Sequence, residues 1–157
     1  MQKKQWVSPA DAWVKLQKYC AYQERCHREV KDKLYSLGLA TSDVDEITNR
    51  LIEEGFLNEE RFAIAYAGGK FRQKKWGKIK IVQQLKFRDI SPYCIKQALN
   101  QIDDVVYYEQ LKTILYKRWE EMRKEKNEML RRKKTGSYLI AKGYEPDMVW
   151  DALKELS

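Results

Sequence analysis

The stretch Gly55–Leu85, GFLNEERFAIAYAGGKFRQKKWGKIKIVQQL, holds a helix stop, a helix start and a basic run in close succession. Gly55 suits the left-handed position that ends one helix, and Asn58 offers a side-chain oxygen to cap the next. Leu57 and Phe62 stand at the N′ and N4 positions of a hydrophobic staple, and Glu59 and Glu60 suit the positive end of the helix dipole. Beyond Tyr66 the character changes. Lys70, Arg72, Lys74, Lys75, Lys78 and Lys80 follow with no acid among them, and Phe71 and Trp76 lie between. One element carries a capped, apolar front and a basic back.

The same punctuation recurs on either side. Ser8-Pro9 and Ser91-Pro92 each pair a serine N-cap with proline at the first helical position, and Glu145-Pro146 repeats the arrangement after a poorer cap. Gly38, Gly55 and Gly143 follow helical runs and read as stops. Between these marks the apolar residues recur at helical spacing. Trp13, Leu16, Tyr19 and Cys20 mark a helix over 9–23, and Val30, Leu34 and Leu37 a second over 25–37. Val44, Ile47, Leu51 and Ile52 mark a third that starts at Ser42. Further helices are expected over 58–74, 78–88, 91–101, 103–124, 127–141 and 146–156.

Three of these segments are copies of one pattern. Leu34-Tyr-Ser-Leu-Gly-Leu39, Leu85-Lys-Phe-Arg-Asp-Ile90 and Leu139-Ile-Ala-Lys-Gly-Tyr144 align, and each precedes an apolar pair at i, i+4: Ile47/Leu51, Ile95/Leu99 and Val149/Leu153. A period of about fifty residues, each copy holding three helices, is the mark of a repeat array. The expected fold is all-α, with three tandem three-helix, helix-turn-helix-like repeats in an elongated, curved array. A tail over 1–8 would precede units at 9–55, 56–101 and 102–157. One unit alone has a marginal core, so neighbours must pack end to end.

The whole chain of 157 residues carries 31 Lys and Arg against 23 Asp and Glu, a net charge of +8. Such an excess points to polyanions, nucleic acid first and acidic protein surfaces second. An acidic block, from Asp43 to Glu60, precedes the basic run and gives the chain a polarity suited to an oriented grip on a charged partner. No run of about 18 apolar residues is present, which excludes a membrane-spanning helix. The N-terminus lacks the apolar core of a signal peptide, so a cytoplasmic protein is expected.

Chemistry beyond binding finds little support. Cys20, Cys26 and Cys94 form no CxxC pair, and His27 beside Cys26 matches no common zinc spacing, so no metal or cofactor is expected. His27 is the one histidine and has no nucleophile–acid constellation around it. Gly68-Gly69-Lys70 lacks the first glycine and the Ser/Thr of a phosphate loop. Catalysis is therefore not expected. Two basic clusters remain as binding candidates: Lys70, Arg72, Lys74, Lys75, Lys78 and Lys80, then Arg131, Arg132, Lys133 and Lys134. Phe71 and Trp76 read either as stacking groups for bases or as core residues ringed by solvated lysines. For Trp76, next to Gly77 in a turn, the core reading is preferred, and Tyr66 reads as core as well.

The run Gly55 to Ala63 (GFLNEERFA), with Tyr66 and the passage into Trp76-Gly77-Lys78 and Lys80-Ile81…Leu85, resembles the central repeat of the RecX regulators. The likeness extends over nearly all of Pro9 to Leu156. Near the start, Tyr19 to Val30 stands where many members carry an arginine-serine-x-x-glutamate-leucine type motif. Cys26 replaces the serine there, which weakens the expected cap. The resemblance implies a non-catalytic, monomeric negative regulator lying in the groove of the RecA–single-stranded-DNA filament. It would hinder ATP hydrolysis, strand exchange and co-protease activity, with only weak binding to naked DNA. The alternative is a helical DNA- or RNA-binding module that acts without RecA, which would show tight, salt-steep binding to free nucleic acid.

Overall fold

The computed structural model describes residues 6–156, and helix is the only regular secondary structure among them. The first three-helix unit comprises α1 (Pro9–Tyr22), α2 (His27–Ser36) and α3 (Thr41–Glu53). The second comprises α4 (Glu59–Gly69), a π turn (Lys70–Lys74), α5 (Lys78–Phe87) and α6 (Pro92–Asn100). The third comprises α7 (Asp104–Glu121), α8 (Glu128–Ala141) and α9 (Pro146–Lys154).

The expected caps form. Ser8 Oγ accepts from the Asp11 N–H at 3.1 Å, Asn58 Oδ1 from the Arg61 N–H at 2.8 Å, and Ser91 Oγ from the Cys94 N–H at 3.3 Å. Each such cap contributes about 1 kcal/mol. Leu57 and Phe62 are both buried, as the staple requires. At Cys26 the cap is held from the other side. Its backbone N–H and its thiol both donate to Glu29 Oε1, at 3.3 and 3.2 Å. One boundary is corrected: α3 begins at Thr41 after Ala40, not at Ser42, and no side chain caps it.

The threefold pattern has a conformational basis. The fifth residue of each copy takes a positive φ: Gly38 at 87°, Asp89 at 59° and Gly143 at 100°. In the second and third copies the chain then turns back, with the Ile90 N–H donating to the Leu85 carbonyl and the Tyr144 N–H to the Leu139 carbonyl. This is the wide hydrogen bond of a Schellman stop. In all three copies an apolar residue (Leu39, Ile90 or Tyr144) then enters the core near a fully buried leucine (Leu34, Leu85 or Leu139).

Among the described residues the apolar side chains form two cores. One lies within the first unit, around Leu16, Leu34, Val44 and Leu51. The other runs continuously through the second and third units, from Phe62 and Ile81 to Leu139, Tyr144 and Leu153. Cys26, at the head of α2, joins this second core. With the ion pair from Arg61 Nε to Glu24 Oε1 at 2.6 Å and the Arg28 donation to the Phe87 carbonyl, it ties the first unit to the second. The accessible surface of 10216 Å² exceeds the roughly 8,300 Å² of a compact monomer of this mass, as an end-to-end array should. Among the described residues no helix is long and apolar enough to cross a membrane.

Candidate functional site

The basic stretch starts where α4 changes its winding. Past Gly69 the helix widens into the π turn and closes at Lys75, which is left-handed at φ 60°. Trp76 N–H donates to the Lys70 carbonyl at 3.2 Å to complete the turn. The third unit fixes it from outside: Tyr144 O–H donates to the Lys75 carbonyl at 3.0 Å, and Gln110 Nε2 donates to the Phe71 carbonyl at 3.1 Å. Inserted π turns recur at functional positions because they re-aim the side chains that follow. Here the re-aimed side chains are cations.

The six central candidates have different surroundings. Arg72, Lys74 and Lys75 are exposed and have no carboxylate partner among the described residues. Lys70 and Lys80 are brought together by Trp76, their ammonium groups standing 5.2 and 4.8 Å from its ring centroid. Lys78 is diverted: its Nζ reaches Asp104 at 3.4 Å and sits over the Tyr107 ring. Of the interleaved aromatics, Phe71 is buried and stacks on Tyr107, so it is core and not a stacking platform. Trp76 is half-buried, with one edge packed on Tyr66 and the core and its ring clasped by the two lysines. Tyr66 is likewise half-buried, and Lys70 and Arg88 lie over its ring.

The second cluster is largely engaged inside the molecule. Arg131 donates through Nε and Nη2 to the Trp119 carbonyl, at 3.2 and 2.7 Å, and its guanidinium lies 3.7 Å from the Trp119 ring centroid. Arg132 donates to the carbonyls of Leu153 and Leu156, closing the end of α9, and pairs with Glu128. Lys134 pairs with Glu125 at 3.1 Å. Only Lys133 is exposed without such a partner among the described residues.

The cysteines are buried free thiols, and burial pushes the Cys26 thiol up to about 11. Among the described residues no group of three or more His, Cys, Asp or Glu is placed to hold a metal ion. One arrangement escapes any local motif. Lys75 shares a groove with Lys117, Arg118 and Lys142, which come from α7 and the end of α8.

Comparison with known proteins matches residues 58–99 to the second three-helix domain of RecX and residues 106–153 to the third. The chain is similar to the "Regulatory protein RecX" of Bacillus licheniformis, 27% identical over 139 residues, covering 87% of this chain and 52% of that protein. It is similar to the protein of the same name from Clostridium tetani, 26% identical over 155 residues, covering 96% of this chain and 69% of the other. The chain thus spans about half the length of the Bacillus relative. Its fold is that of the crystal structure of RecX from Lactobacillus salivarius. The TM-score is 0.83 at 24% identity, with 94% of this chain and 96% of the other covered. Two consecutive domains of one family, found in order over more than half of its residues, make this chain a member of the RecX family.

Proposed function

We propose that this chain is a negative regulator of the RecA recombinase. It lies along the groove of RecA–single-stranded-DNA filaments and inhibits their ATPase, strand-exchange and co-protease activities. Family membership supports a regulatory role, and one structural observation carries the rest. The π turn and the head of α5 present Arg72, Lys74 and Lys75 without a counter-charge among the described residues, beside the Lys70–Trp76–Lys80 clasp. Cations held this way are drawn to a polyanion and release its condensed counterions on contact. Units at 9–55, 56–101 and 102–157 would meet successive protomers, and several weak contacts in tandem yield strong attachment without any one tight site. Regulation of this kind needs occupancy rather than a catalytic residue.

Co-sedimentation with RecA filaments on single-stranded DNA tests this, with naked DNA and RecA alone as controls. Binding that requires the assembled filament supports the proposal. Equal or tighter binding to free DNA or RNA, steeply weakened by salt, would contradict it and favour an independent nucleic-acid module.

A further inference from the structure

Lys75, at the left-handed end of the π turn, faces a stripe of α7 across the joint between the second and third units. Lys117, Arg118 and Glu121 lie on that stripe at helical spacing, and Lys142 and Tyr138 close the far side. Together they line a groove of about 260 Å³, just below the roughly 300–1,000 Å³ usual for whole small-molecule ligands. The space suits one anionic group and a little of what it is attached to.

Four cations meet one carboxylate there. Glu121 is already committed, accepting from Arg118 Nη1 at 3.0 Å. Lys75, Lys117 and Lys142 have no carboxylate partner among the described residues. The Arg118 guanidinium lies 4.6 Å from the Tyr138 ring centroid and the Lys142 ammonium 5.7 Å from it, so one aromatic holds two of the charges at the rim. The Arg118 Nε–H is buried and has no acceptor among the described residues. Helix dipoles account for Lys142 at the end of α8, Arg118 in the last turn of α7 and Lys75 at the end of the π turn, but not for Lys117. Like charges gathered in a concave, partly apolar site concentrate their field on whatever enters.

We propose that this groove is a binding site for a phosphate group. Its residues, apart from Lys75, lie outside the basic run that carries the filament reading, and it can be probed with no recombinase present. The geometry favours phosphate over a carboxylate because the guanidinium and the surrounding ammonium groups supply donors from several directions.

The test is an amide-resolved NMR titration of the full chain with inorganic pyrophosphate, at ionic strength held constant with sodium chloride. The expected result is saturable shifts centred on Lys75, Thr113, Tyr138 and Lys142. Binding should weaken about tenfold in the Lys117→Gln/Lys142→Gln variant and stay unchanged in Lys15→Gln, an exposed lysine on α1 of the first unit. Shifts that never saturate, or a double variant that binds like the parent, would overturn the proposal. A short oligothymidylate added to the pyrophosphate complex then identifies the source. Displacement marks the nucleic-acid backbone as the natural ligand, and its absence marks free phosphate esters; both presuppose the saturable site.

Discussion

Gly77 and Gly143 lie backbone against backbone: a Cβ on Gly77 would stand 2.3 Å from the carbonyl carbon of Gly143. Around this contact the Gly77 N–H donates to the Lys142 carbonyl at 2.8 Å, and the Ile79 N–H donates to the Gly143 carbonyl at 2.9 Å. The turn between α8 and α9 therefore satisfies orphan amides at the head of α5. Gly77 has an ordinary φ of −79°, so it is the close approach that demands glycine there. Gly77→Ala should destabilise the chain by about 2–3 kcal/mol through overpacking against backbone that cannot yield. Urea denaturation measures this, and an unchanged midpoint would contradict the tight joint.

Asp89 occupies the left-handed position that glycine fills in the two sister repeats. Asp89→Gly should stabilise the chain by about 0.5–1 kcal/mol, raising Tm by about 2–4 °C. A scanning calorimetry trace without this rise would show that the aspartate side chain offsets the strain of its backbone.

The same joint sets the alkaline limit of the fold. Tyr107 O–H donates to Glu145 while its oxygen accepts from the Lys78 N–H at 3.0 Å. Burial first, and then Glu145, hold the Tyr107 phenol far above its usual range. Burial pushes Tyr144 up to about 12 and the Cys26 thiol up to about 11. In each case the unfolded chain gives up its proton first as pH rises. The stabilisation is therefore complete below about pH 9 and declines through pH 9–12. Denaturation at stepped pH should show this decline, and Tyr144→Phe should flatten its upper part. Constant stability from pH 8 to 12 would contradict the burial of these groups.

Arg132 and its neighbour Lys133 separate a cation built into the fold from an exposed one. Arg132→Ala removes the donor to the Leu156 carbonyl and one of the two donors to the Leu153 carbonyl, and should cost about 1–3 kcal/mol. Lys133→Ala should leave stability within about 0.5 kcal/mol. Equal effects in thermal melts would deny Arg132 its role in closing the helix.

Much of this architecture is legible in the sequence because its determinants are local. Serine and asparagine caps, proline starts and glycine stops act within one turn, and the copied pattern at Leu34, Leu85 and Leu139 reports the three units directly. The start of α3 is less legible, since Ala40 offers no capping side chain and the helix is held by its apolar face. The site is read only in part. Its cations are visible as a run, but their surroundings are set by residues far away in sequence. Phe71 is drawn into the core by Tyr107, and Lys78 is drawn aside by Asp104. Arg131 and Arg132 find their acceptors in the carbonyls of Trp119, Leu153 and Leu156. The π turn depends on anchors from Gln110 and Tyr144, which no pattern within 70–75 reveals.

The DNA-dependent ATPase of RecA, titrated with this chain and with an Arg72→Glu/Lys74→Glu variant, tests filament regulation most directly. Both side chains are exposed and have no carboxylate partner among the described residues, so the variant should keep the parent's helical circular dichroism. The expected result is inhibition by the parent at or below one chain per recombinase, with the variant needing about tenfold more. A parent that leaves the ATPase untouched would contradict filament regulation, and a variant as potent as the parent would contradict the assignment of the basic turn as its contact surface.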